Sequence, residues 1–257
     1  MKTHLLSLIT ACSVTLPMAS LADVSIEPSG MKIVWQSLKK DFDGFETYNS
    51  SEGVYVTVAV RGGGKNVISF DNKKSKVSIQ YGDQDLGGSF GMWNKTSKDG
   101  KTMRIEVKSD KLPQGDNAAL KLAGSLDLVV ASKTDTKTSG PRELKKGDKL
   151  TFGDNFSCEV SKIEKPKYGD DELEVSFKWD RDIPELAAVR FYDEAGKLIE
   201  SKAGGWSSMG GFGKKTVTKS YLLKKKSDIL KIEMDLWSDA EALTVPLNLN
   251  VGLGAGK

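Results

Sequence analysis

Apolar and polar side chains alternate along most of this chain, and that period of two limits what it can fold into. Val54, Val56, Val58 and Val60 share one face of "VYVTVAV". Leu173, Val175, Phe177 and Trp179 do the same in "LEVSFKW", with Glu174, Ser176 and Lys178 opposite. Met103, Ile105 and Val107 alternate with Arg104 and Glu106, and Leu243, Val245, Leu247, Leu249 and Val251 with Thr, Pro and Asn. Successive side chains on a strand point to opposite faces, so the pattern predicts antiparallel strands with one buried and one wet face. No stretch carries a long helical period. Turn sequences such as "SKDGK", "LPQGDN" and "YDEAGK" separate the runs, as hairpins require. Many short strands punctuated this way predict an all-β sandwich or barrel.

The first 22 residues stand outside that pattern. Lys2 precedes a mostly apolar run from Leu5 to Met18, and Ser20-Leu21-Ala22 places small residues at a cleavage site. This predicts a signal peptide over residues 1–22, a first mature residue Asp23, and a periplasmic or extracellular destination. The apolar run is too short and too interrupted to span a bilayer, and no later segment is apolar enough, so no transmembrane segment is expected. Ile9-Thr10-Ala11-Cys12 loosely matches a lipobox, which would put a lipid on Cys12. The short apolar run before it and the apolar sequence after it weigh against that.

Cleavage would remove His4, the only histidine, and Cys12, leaving Cys158 as the single cysteine. A Ser-His-Asp or Cys-His nucleophile then cannot be assembled, and imidazole or thiolate metal sites are excluded. No internal disulfide is possible, and "FSCEV" reads as a strand with Cys158 as a small buried hydrophobe. "VRGGGKN" lacks the spacing and following helix of a phosphate loop and reads as a hairpin loop. Carboxylate chemistry survives, so a glycan-active enzyme with two facing acids is the alternative enzymatic reading. Calcium is the one cofactor left open. Acidic loops occur at "DFDG" (41–44), "GDQD" (82–85), "YGDDE" (168–172) and "WDRD" (179–182), but none has the EF-hand pattern. Charge is balanced, with 38 Lys and Arg against 35 Asp and Glu, and the lysines form no stripe, which argues against nucleic acid.

The two halves of the chain share an order of segments. "VYVTVAV", "KVSIQYGD", "MRIEV" and "ALKLAGSLDLVV" align in turn with "LEVSFKW", "AVRFYDEAG", "LKIEM" and "ALTVPLNLNV". This weak repeat predicts two tandem sandwich domains, 23–140 and 141–257, joined through the polar stretch 132–148. In strand count, size and tandem arrangement the chain resembles immunoglobulin-like sandwiches, as in uncharacterised secreted bacterial proteins of that build. It departs from true immunoglobulin domains because the paired cysteines are missing. The resemblance implies a fold and no functional residues.

Two glycine-rich stretches hold the candidate site. "GGWSSMGGFG" (204–213) and "GGSFGMW" (87–93) both mix glycines with aromatics and a Met. One reading has the rings fold back to close the ends of the sandwiches. The other makes Trp93 and Trp206 anchors for a ligand, with Phe90 and Phe212 beside them, because loops on a rigid scaffold commonly carry recognition. The expected function is a non-enzymatic module for binding, adhesion or envelope structure with a protein or polysaccharide partner. A third reading is an inhibitor or chaperone that pairs an edge strand with a client. Pro246 marks the last strand as an edge.

Overall fold

The computed structural model describes residues 24–35, 51–92, 94–211 and 214–252. The signal peptide expected at residues 1–22, with Cys12, lies outside them. Among the described residues the chain forms nineteen strands and no helix, so it is all-β. The first nine are β1 (Ser25–Val34), β2 (Gly53–Arg61), β3 (Asn66–Phe70), β4 (Lys76–Tyr81), β5 (Gln84–Gly87), β6 (Ser89–Phe90), β7 (Lys95–Thr96), β8 (Thr102–Ser109) and β9 (Ala119–Ala131). Then come β10 (Thr134–Glu143), β11 (Lys149–Phe152), β12 (Phe156–Glu164), β13 (Leu173–Trp179) and β14 (Leu186–Tyr192). The last are β15 (Leu198–Ile199), β16 (Ser201–Gly211), β17 (Lys214–Leu223), β18 (Ile229–Trp237) and β19 (Glu241–Gly252).

They pair antiparallel into four sheets. The strand orders are β1-β2-β8-β6, with β7 also on β8, and β19-β9-β4-β5, with β3 also on β9. The other two are β10-β18-β14-β15 and β11-β12-β13-β17-β16. The apolar stripes seen in the sequence set the register. Val56, Val58 and Val60 of β2 stand opposite Val107, Ile105 and Met103 of β8, all buried. Each such side chain, once fully buried, contributes about 1.5–3 kcal/mol, which is why a one-residue slip is excluded.

Burial falls into two hydrophobic clusters. One gathers the valines of β2 with Ile79, Leu120, Leu122, Leu126 and Leu128, and takes Val245, Leu247 and Val251 from β19. The other gathers Leu150, Val160, Phe177, Phe191, Leu223 and Ile232. There Phe177 stacks on Phe191 with centroids 6.1 Å apart, and Tyr221 leans on both. Cys158 is buried in this second cluster, and desolvation pushes its thiol up to about 12, so it is inert at neutral pH.

Three local expectations meet a different outcome. The polar stretch 132–148 contains β10, which pairs along β18. It lacks alternation because it is an edge strand with little to bury. β9 and β19, aligned as counterparts in the repeat, pair with each other from Ala119↔Gly252 to Val130↔Glu241. "VRGGGKN" makes a tight turn, with the Lys65 N–H donating to the Gly62 carbonyl, but it carries the chain between sheets rather than closing a hairpin.

The return of β19 forces two connections to run side by side, Ser132–Lys133 leaving β9 and Ser238–Ala240 returning to it. Asp239 ties them. Its carboxylate accepts from the Ser132 hydroxyl at 2.5 Å and from the Ser132 and Lys133 N–H groups at 2.9 Å each. The Ser238 N–H donates to the Lys133 carbonyl. These donors, the Ser132 hydroxyl foremost, hold the Asp239 carboxyl down to about 2. A depressed carboxyl adds stability above its unfolded pKa and loses it as pH falls through the folded one. Thermal melts of wild type and Asp239→Ala should therefore keep a constant gap in Tm above pH about 4. The gap should narrow as pH drops towards about 2; a gap unaffected by pH would show that the carboxylate charge is irrelevant.

Candidate functional site

Each sheet ends in strands whose outer backbone groups have no neighbouring strand among the described residues, and the chain treats its long edges in two ways. β1, β10 and β19 are long edges, and they carry Pro28, Pro141 and Pro246 respectively. Proline lacks an N–H and guards an edge against a further strand. Pro28 and Pro141 also sit at register shifts, a second guard. The expectation that Pro246 marks an edge is met, since β19 ends its sheet. The edges β3, β5, β6, β7, β11 and β15 are five residues or shorter.

β16 is the exception. It runs 11 residues, "SKAGGWSSMGG", at the end of its sheet and contains no proline. Its one irregularity lies between Ala203 and Gly205. Gly204 fits that bulge because a Cβ there would come within 2.9 Å of the Leu222 side chain. From Gly205 to Gly211 the pairing with β17 is unbroken and the strand bears no charge. The glycine stretch is thus mostly strand, not loop. The reading in which the rings fold back to close the sandwich is not met by Trp206, which is 67 % exposed, and Met209 beside it is 79 % exposed.

Register places each side chain of this hairpin on a face. Residues directly opposite share a face. Phe177, Lys219 and Trp206 stand in one row across β13, β17 and β16, on the side that faces the second cluster. Phe177 is fully buried, Lys219 half-buried, and Trp206 largely exposed, so the row runs from core to solvent. Lys219 has no acceptor for its ammonium among the described residues. Desolvation pulls its pKa below the ordinary lysine value. The neighbouring lysines are paired. Lys202 lies 2.8 Å from Asp171, whose side chain is 1 % exposed, and Lys224 reaches both Asp170 and Asp171. Lys202 and Lys224 hold the Asp171 carboxyl below the usual range. Lys215 contacts Asp182 at 2.6 Å.

The other candidates fare differently. Phe90 sits in β6, half-buried, edge-to-face on Phe70 with centroids 4.9 Å apart, so it packs against the first cluster. Phe90 and Trp206 belong to different sheets and are not brought together. Trp93 and Phe212 lie outside the described residues, as does the "DFDG" loop. Among the described residues no group of three or more His, Cys, Asp or Glu could hold a metal ion. A cleft of about 480 Å³ holds Glu143, Glu164, Glu172 and Asp228, but no aromatic ring lines it to stack on a sugar. Among the described residues no helix is long and apolar enough to cross a membrane.

Lys219 was missed at the sequence level because "TVTKSYLL" gives no sign of which face its lysine takes. Compared with family models, curated proteins and solved structures, the chain matches none. Function must then be read from this edge itself. Exposure predicts that Trp206→Ala shifts unfolding free energy by less than about 0.5 kcal/mol. Phe90→Ala should cost about 2 kcal/mol in the same denaturant titration. A large loss from Trp206→Ala would instead make it a packing residue.

Proposed function

We propose that this protein is an exported, non-enzymatic binding module that holds an extended polypeptide segment along the outer edge of β16. The observation that carries this reading is the unguarded edge: the other long edges are broken by proline, and this one offers seven regular residues with an exposed Trp and Met. An added strand gains main-chain hydrogen bonds along such an edge, and side-chain neighbours give it specificity. Trp206 and Met209, on opposite faces, supply apolar contact to alternate residues of the guest. The reading joins the binding module to the edge-pairing inhibitor or chaperone. Adhesion or envelope assembly would be uses of the same surface.

The accompanying fold reading is two immunoglobulin-like sandwiches, one of β1–β9 with β19 and one of β10–β18, the second inserted before the last strand of the first. Export is supported by residues 1–22 and requires no lipid at Cys12. Catalysis is disfavoured because the acids near the hairpin, Asp170, Asp171 and Asp182, are occupied by lysines. Calcium is not needed for the reading.

The test is an NMR titration of the isotope-labelled protein with an uncharged, strand-forming peptide of about ten residues. Saturable shifts confined to the amides of Gly205–Gly211 and their β17 neighbours are expected. Shifts elsewhere only, or a response to soluble cell-wall glycans in place of peptide, would contradict it.

A further inference from the structure

The hairpin of β16 and β17 has a one-sided charge. From Ser201 to Leu223 the sequence contains Lys202, Lys214, Lys215 and Lys219 and no Asp or Glu, although the chain as a whole is balanced. Asp171 and Asp182, from outside the hairpin, neutralise Lys202 and Lys215. Lys219 is different. It is half-buried on the face that looks into the second cluster, one strand in from the edge, and no described group accepts from it. Keeping an ammonium partly desolvated without a partner is costly, and a bound carboxylate would remove that cost.

Resting on strand addition at β16, we propose that the guest is an acidic extended polypeptide, and that one of its Asp or Glu side chains reaches Lys219 past Trp206. On an added strand, the residue opposite Trp206 shares its face, and hence the face of Lys219. Adjacent strands lie about 4.8 Å apart, so the guest backbone would sit about 9.6 Å from that of Lys219. A lysine and a glutamate extended towards each other span that gap. Trp206 covers one side of the pair and keeps water from it, which strengthens the attraction.

The same features disfavour a second copy of this chain as the occupant. Two β16 strands paired antiparallel would bring no acid to either Lys219.

The experiment uses three peptides of one strand-forming frame that differ only at a central residue, Glu, Gln or Lys. Affinity for the wild-type protein is read by NMR titration, and the protein's own association state by sedimentation. The Glu peptide should bind about tenfold more tightly than the Gln peptide, with the Lys peptide weakest. Lys219→Met keeps the side chain's volume without its charge, so it should fold and lose the preference while still binding the Gln peptide. Lys219→Arg should retain the preference. Equal binding of Glu and Gln peptides would overturn the acidic guest and leave strand addition standing. No binding of any peptide would overturn both. Self-association of the protein through β16 would show a second copy to be the occupant and refute the proposal.

Discussion

A strand that ends a sheet leaves a row of backbone N–H and C=O groups facing water, and a chain built wholly of strands must manage every such row. The management here is systematic. Short strands cap some edges, and proline breaks β1, β10 and β19. Every proline within a described strand lies in one of those three. Against that background β16 is informative because it lacks the usual guards along Gly205–Gly211 while lying at full length on β17. Its Trp206 and Met209 stay largely exposed, so burial within the fold does not account for them, and in the proposed reading the guest strand covers them.

The long β9–β19 pair sets the frame on which that edge is carried. It draws the end of the described chain back to the first hydrophobic cluster and leaves the strands between them to build the second. The cost is two adjacent connections that must hold one geometry, and the Asp239 carboxylate meets it with donors from the opposite connection. Buried aromatics then fix the second cluster: Phe177 between Phe191 and Trp179 anchors β13, which anchors β17, which carries β16. The edge of β16 is thus two strands removed from the fully buried ring of Phe177.

Much of the fold was legible in the sequence where one face had to be buried. The stripes of Val54–Val60, Met103–Val107 and Leu173–Trp179 announce strands because alternation has no other stable use. Cys158 and Pro246 took their expected places for the same kind of reason. What was not legible depends on partners. Glycine and serine have little strand propensity, and "GGWSSMGG" is a strand because β17 lies beside it. The polar β10 is a strand because β18 does. The likeness of β9 to β19 reads equally as repetition or as pairing, since two neighbours in one sheet bury the same face. Proline was a sound marker of edges, but it finds the closed ones; the open edge is marked only by proline's absence, which is visible once the edges are known. Lys219 required the register, since a period of two cannot say which of its faces is the inner one.

The central claim is that β16 is a formed strand whose outer edge is covered by no described strand and stays open to a guest. Residue-resolved amide hydrogen exchange on the protein without any added peptide tests it most directly. Along Gly205–Gly211 slow and fast amides should alternate, the slow ones bonded to β17 and the fast ones facing water. Uniformly fast exchange would mean that the stretch is a loop after all, and uniformly slow exchange that its edge is already covered; either would contradict the account.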